Sequence, residues 1–212
     1  MEHNEIYTFK NGINWYDLKK SWIYLQHVAI EKLDTTLTLY PEDYTVYRKL
    51  LAYALQDEEA CSKFGLDPKK GILLVGKIGV GKTTYMKLLP YLMKQEHRYA
   101  FESALNITSD YKGYGEQIIK MYTRPSININ HLCIDDLGLE KEVLHFGNRT
   151  NVLGEILYTR HQLLKEKGIY THATTNLNAV ELSEKYGNRM RSRMREMFNI
   201  VSFQRESGDR RK

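Results

Sequence analysis

Residues 76–83, Gly76-Lys77-Ile78-Gly79-Val80-Gly81-Lys82-Thr83, restrict the fold of this chain more than any other stretch. They match G-x-x-x-x-G-K-[ST] at every fixed position. Gly71-Ile72-Leu73-Leu74-Val75 precedes them, a short apolar run that reads as a buried strand. Thr84-Tyr85-Met86-Lys87-Leu88-Leu89 follows and reads as the opening of a helix. A chance glycine turn has no need of that context, nor of the Lys-Thr pair. Strand, glycine loop and helix together describe an anion cradle: loop amides and a helix N-terminus direct partial positive charge at phosphate oxygens. The cradle runs from Gly76 to Thr84. Within it Lys82 is expected to reach the β- and γ-phosphates, and the Thr83 hydroxyl to bind Mg²⁺.

The rest of the chain fits around such a unit. With 212 residues there is room for one α/β domain plus a helical extension. No apolar run is long enough to cross a bilayer, and Met1-Glu2-His3-Asn4-Glu5 lacks the form of a secretory signal. Cys61 and Cys133 are the only cysteines, and Cys133 lies in an apolar run. A reducing cytoplasm without disulfides is therefore expected. The net charge of +5 is compatible with contact to nucleic-acid phosphates and equally with a solvated basic surface.

Spacing predicts a helix over 14–33, where Trp15, Leu18, Trp22, Leu25, Ala29 and Leu33 recur at steps of three and four. A second helix is expected from Pro41, with Tyr44, Tyr47, Leu51 and Ala54 on one face, ending at Phe64-Gly65-Leu66-Asp67-Pro68. Residues 1–66 thus form a helical N-terminal region, 67–203 the α/β unit, and 204–212 a polar, frayed tail. Within the unit, strands are predicted at 99–103, 131–135, 169–174 and 200–203. Helices are predicted at 114–122 (ended by Arg124-Pro125), 151–167 (capped by Gly168) and 188–197. Pro90 predicts a short or kinked helix after the loop. Alternating strands and helices imply a mainly parallel sheet covered on both faces, with ligands at the carboxyl ends of the strands.

His131-Leu132-Cys133-Ile134-Asp135-Asp136 is an apolar strand ending in two acids. Beside a phosphate loop it has the form of a Walker B element. Asp135 would hold Mg²⁺ through its water shell, and Asp136 would orient or deprotonate the attacking water. Thr174-Thr175-Asn176 closes another strand. Asn176 reads equally as a strand-exit turn residue or as an amide that holds the lytic water. Arg189, Arg191, Arg193 and Arg195 flank a stripe of Met190, Met194 and Met197. Their default reading is a solvated basic face. The sharper reading sends one arginine to the γ-phosphate of a neighbouring subunit.

Together these segments resemble the AAA+ ATPases, a P-loop NTPase group with a parallel sheet sandwiched by helices. More narrowly they resemble the DnaC/DnaI-type helicase loaders and the related IstB-type transposition ATPases. The resemblance spans roughly residues 40–203. It is carried by Lys70–Gly76 leading into the loop, Ile134-Asp135-Asp136-Leu137-Gly138, Tyr158-Thr159-Arg160, Ala173-Thr174-Thr175-Asn176-Leu177 and Tyr186–Met194. It implies that Asn176 is the polar sensor and Arg193, in Ser-Arg-Met, the arginine finger. It also implies ATP and Mg²⁺ as ligands, self-association through the nucleotide interface, and DNA with a replicative helicase or a transposase as partners. Two departures stand out. Asp136 replaces the usual Glu, a shorter acid expected to slow hydrolysis, and the chain ends soon after Phe203, without the usual helical lid domain. The leading expectation is an ATPase of helicase loading. The alternatives are a transposition helper, a small-molecule P-loop kinase, and a nucleotide-gated binding module with little turnover. Tyr40, Tyr44 and Phe64 are the aromatic candidates for the adenine pocket.

Overall fold

The structure is a computed structural model that describes residues 6–10, 13–124, 131–145, 148–204 and 209–210. The expectations for residues 1–5 and Pro125, and most of the tail after Gln204, lie outside them. Strands β1 (Tyr7–Lys10) and β2 (Ile13–Tyr16) form an antiparallel hairpin, followed by helix α1 (Leu18–Leu33). The helix predicted from residue 14 therefore starts later, and Trp15 lies in a strand. Asp17 decides this: its carboxylate accepts from the Lys19 and Lys20 amides and caps the first turn. From Leu18 onward the predicted stripe holds, with Leu25 and Ala29 buried.

Pro41–Asp43 is a 3₁₀ turn leading into α2 (Tyr44–Ala54). A separate short helix, α3 (Glu58–Lys63), is capped by Asp57, where a single helix had been expected to continue to Phe64. Next come β3 (Gly71–Val75) and α4 (Lys82–Leu88), and α4 gives way to a 3₁₀ turn at Pro90 as the missing amide requires. After β4 (Tyr99–Ser103) comes an unforeseen helix, α5 (Ala104–Tyr114), and then α6 (Glu116–Thr123), which is the helix expected at 114–122; Gly115 parts the two. β5 (His131–Asp135) is followed by an unforeseen hairpin, β6 (Val143–His145) with β7 (Asn148–Thr150). α7 (Val152–Lys167) has the predicted Gly168 cap, and β8 spans Thr171–Thr175. The basic helix is the second half of a longer α8 (Ala179–Met197), broken at Gly187. β9 (Phe198–Ser202) completes the chain's strands among the described residues.

The five-stranded sheet is parallel throughout, in the order β4-β5-β8-β3-β9. Alternate strand residues feed opposite layers. Ile72, Leu74 and Cys133 pack with α1, α2 and α4, whereas Leu73, Leu132, Ile134 and Ala173 pack with α5, α6, α7 and α8. Trp22 meets Tyr47 edge-on at 5.0 Å and Tyr85 of α4 at 6.4 Å, so the N-terminal helices share the core of the sheet's first face. Cys61 and Cys133 are both buried and unpaired. No helix among the described residues is long and apolar enough to cross a membrane.

Candidate nucleotide-binding site

Strand order builds the site. β8 lies between β3, which ends in the phosphate loop, and β5, which ends at Asp135. Thr174 and Thr175 at the end of β8 therefore stand between the loop and the acids. Gly76 N–H donates to Thr175 O, tying the loop's first residue to that strand. Gly81 has φ of +94° and opens α4, a backbone that favours glycine and turns the helix N-terminus toward the loop's concave side. Lys82 is buried, its ammonium donating to Gly76 O at 2.8 Å and to Lys77 O at 2.9 Å.

Thr83 Oγ1 donates to the Asp135 carboxylate, 2.9 and 3.1 Å from its two oxygens, across 52 residues of sequence. Thr174 Oγ1 donates to Asp135 Oδ1 at 2.6 Å and accepts from Asp136 N–H at 2.8 Å. One hydroxyl thus sets the angle between two consecutive acids. Asp136 has φ of +54°, a left-handed turn at a residue other than glycine, which costs about 1 kcal/mol and swings the chain sharply out of β5. Asn176 Oδ1 is buried and finds no hydrogen-bond partner among the described residues. The site gathers Lys82, Thr83, Asp135 and the Asp136 backbone around Thr174.

Arg193 is elsewhere. Its guanidinium lies 4.5 Å from the centre of the Tyr158 ring and 3.4 Å from Arg189 O, and neither partner belongs to the loop or the strand ends. It borders a groove of about 470 Å³ with His161, Lys165, Arg189, Ser192 and Glu196, where Glu196 accepts from both His161 and Lys165. Met190, Met194 and Met197 are buried, as the stripe predicted.

The frayed tail does not hold at its described end. Arg210 N–H donates to Gly79 O, and its guanidinium pairs with the buried Asp43 and lies 4.1 Å from the centre of the Tyr40 ring. Arg48 covers the other two adenine candidates, Tyr44 and Phe64. Thr174 and Glu140 are neighbours of the two acids and their turn that sequence reasoning passed over. Thr174 was visible only as part of a strand end. Glu140, 3% exposed, was visible only as an acid following the apolar turn Leu137-Gly138-Leu139.

Similarity in sequence alone goes no further: no family model matches the chain, and no curated protein does. Solved structures do match. A crystal structure of the DnaC helicase loader superposes with a TM-score of 0.55 at 19% identity, covering 81% of this chain and 96% of that one. This chain has the AAA+ fold. A DnaI crystal structure gives 0.52 at 18% identity over 82% and 90%. AMPPCP-bound DnaA from Aquifex aeolicus gives 0.55 at 16% identity, and there the match spans 79% of this chain but only 48% of DnaA.

Proposed function

We propose that this chain binds ATP with Mg²⁺ at the loop of residues 76–84, hydrolyses it, and acts in cytoplasmic DNA replication as a helicase-loader-like ATPase. The observation that carries the reading is the meeting of Thr83 Oγ1 with Asp135 across the sheet, beside a buried Lys82. A hydroxyl and a carboxylate are hard oxygen donors suited to Mg²⁺, which keeps most of its shell for phosphates and water. Among the described residues no group of three His, Cys, Asp or Glu side chains is placed to hold a metal without such help. The donor set therefore fits a metal that arrives with a triphosphate. Mg²⁺ there would neutralise charge between the β- and γ-phosphates.

In this reading Lys82 exchanges its two carbonyls for phosphate oxygens, and the loop amides take the rest of the charge. Asp136, turned by its left-handed backbone, orients the attacking water, and Asn176 offers its amide from the end of β8. Among the described residues Arg193 contacts Tyr158 and Arg189, away from its own chain's site, which supports its use as a finger on a neighbouring copy. A homo-oligomer through the nucleotide interface follows. Residues 1–66 would offer the partner-binding surface, and the basic balance of the chain would serve DNA. The solved structures of similar fold include the DnaC helicase loader and a DnaA bound to AMPPCP and single-stranded DNA, which supports the replication setting.

The test is ATP binding with Mg²⁺, followed by turnover per molecule as protein concentration rises. Binding with rising specific turnover is expected. Absence of affinity for any nucleoside triphosphate removes the proposal. Flat turnover together with phosphorylation of a metabolite would make the chain a kinase, and capture of a transposase instead of a helicase by the full chain would make it a transposition helper.

A further inference from the structure

The loop after β5 is hydrogen-bonded to α8 just before its arginine-bearing half. Leu139 N–H donates to Asp136 O and Leu137 N–H to Thr174 O, so residues 136–139 form a tight turn fixed to β8. Gly138 allows it: with φ of +106° it sits against Leu177, and a Cβ there would lie 2.4 Å from Leu177 Cδ1. Glu140 comes next and is buried. Its Oε2 accepts from Gly138 N–H at 2.8 Å, and its Oε1 accepts from the Tyr186 hydroxyl. Lys185 Nζ donates to Glu140 O and lies 3.6 Å from Oε1, and Lys185 O in turn accepts from Asn151 Nδ2.

Tyr186 is the last residue before Gly187, where α8 breaks (φ 81°, ψ 157°). The helix beyond the break carries Arg189 to Arg195 and is anchored by Met190, Met194 and Met197 in the second core layer. Glu140 thus grips the turn that holds Asp136 with one oxygen and the hinge of the arginine segment with the other. Burial, and after it the Glu140 carboxylate, raise the Tyr186 phenol, which keeps it a donor.

We propose that Glu140 is a positioning residue, coupling the turn that carries Asp136 to the arginine-bearing half of α8 through Tyr186. Ligand at the nucleotide site then re-sets the placement of Arg193 in the same chain. The proposal rests on the ATPase reading above and adds a mechanical link between the site a chain owns and the residue it lends. The link is a contiguous hydrogen-bonded path with a hinge at its end, not a spatial coincidence of two distant groups.

The experiment uses the full chain and two variants. Tyr186→Phe removes one hydroxyl. Glu140→Gln keeps an acceptor for Gly138 and a hydrogen-bonding group for Tyr186, so it serves as the conservative rescue. Amide exchange is followed over 76–84 and 188–197, with and without Mg-ATP, alongside ATP affinity and turnover at low and high protein concentration. In the wild type, ATP slows exchange in both segments. In Tyr186→Phe, protection at 76–84 and ATP affinity stay, protection at 188–197 is lost, and the concentration-stimulated turnover falls about tenfold, while Glu140→Gln retains at least about half of it. Equal protection of 188–197 in wild type and Tyr186→Phe overturns the coupling, as does a parallel loss of ATP affinity. A wild type with no protection at 76–84 refutes the nucleotide reading itself, and the coupling with it.

Discussion

At the carboxyl ends of the strands, buried polar groups bond to one another and to loop backbone: Thr83 and Thr174 to Asp135, Tyr186 to Glu140, and Lys82 to the carbonyls of Gly76 and Lys77. At the amino ends they bond largely to backbone. His172 Nδ1 accepts from Ile72 N–H, His131 Nδ1 accepts from Tyr170 N–H, and Asn199 binds Asp67 through both its N–H and its carbonyl. Arg160, 1% exposed, donates to Thr171 Oγ1, Tyr122 O and Tyr170 O. Both rims bury polarity, but the partners differ. Bonds between side chains or to loop carbonyls can be traded for a ligand's oxygens, while bonds to strand backbone cannot be traded without loosening the sheet. One rim is built for exchange and the other for fixity.

The sharpest way to break this contrast is a pair of truncations. Lys82→Ala should lower ATP turnover by more than about a hundredfold, since one preorganised charge aimed at the transition state is worth that much. Its folding stability should stay within about 1 kcal/mol, because a buried ammonium is removed with its own desolvation cost. Arg160→Ala should do the reverse. It removes the donor to the Thr171 hydroxyl and to Tyr122 O, both buried, and costs roughly 3 kcal/mol in urea unfolding, with ATP affinity unchanged where the protein is folded. If Arg160→Ala loses ATP binding while still folded, the two rims are not separable.

The rims should also answer differently to acid. Burial, with His131 and Arg160 adding to it, pushes His172 down to about 3, and His131 is lowered by burial as well. The groups packed on His172 are Tyr99 at 4.5 Å and Tyr53 at 5.8 Å, both held protonated by burial. An unfolded histidine titrates near about 6.5, so below that the unfolded chain binds a proton that the folded chain refuses. Stability is then lost as pH falls, by about 2 kcal/mol for His172 between about pH 6.5 and 5. His172→Gln keeps an acceptor for Ile72 N–H and should flatten that slope in urea titrations at several pH values. An unchanged slope would assign the acid sensitivity to other groups.

How much of this was readable from sequence depends on the range of the interaction. β3, β4 and β5 were placed at their observed ends, because buried parallel strands are apolar runs with polar punctuation. Helix α7 was legible from its paired apolar positions and Gly168. Trp15 misled because its spacing to Leu18 and Trp22 suits a helix, and only the Asp17 cap shows where the helix begins. Helix α5 escaped because its cap, Ser103, is also the last residue of β4, so that nothing in the sequence parts strand from helix. Lys82, Thr83 and Asp135 were given by motif. The Thr174 bridge needed the order of β3, β8 and β5, which no local pattern encodes. Glu140 and Tyr186, 46 residues apart, needed the fold itself.

The finest comparison lies on a single strand. β8 has a buried threonine near each end, and both use Oγ1 to hold a charged side chain: Thr171 accepts from Arg160 Nε at 2.7 Å, and Thr174 donates to Asp135 at 2.6 Å. Valine has nearly the same shape, so each Thr→Val change removes a hydroxyl and little else. Thr171→Val leaves a guanidinium N–H without its acceptor, and Thr174→Val does the same to Asp136 N–H. Each should cost about 1–2 kcal/mol in urea unfolding. Only Thr174→Val should change catalysis, because it frees the turn that angles Asp136 while leaving Lys82 and the loop intact. ATP affinity would then hold while turnover drops several-fold, a split that bulk destabilisation does not produce. If Thr171→Val lowers turnover as much as Thr174→Val at matched stability, strain travels along β8, and the separation between a fixed rim and an exchanging one must be given up.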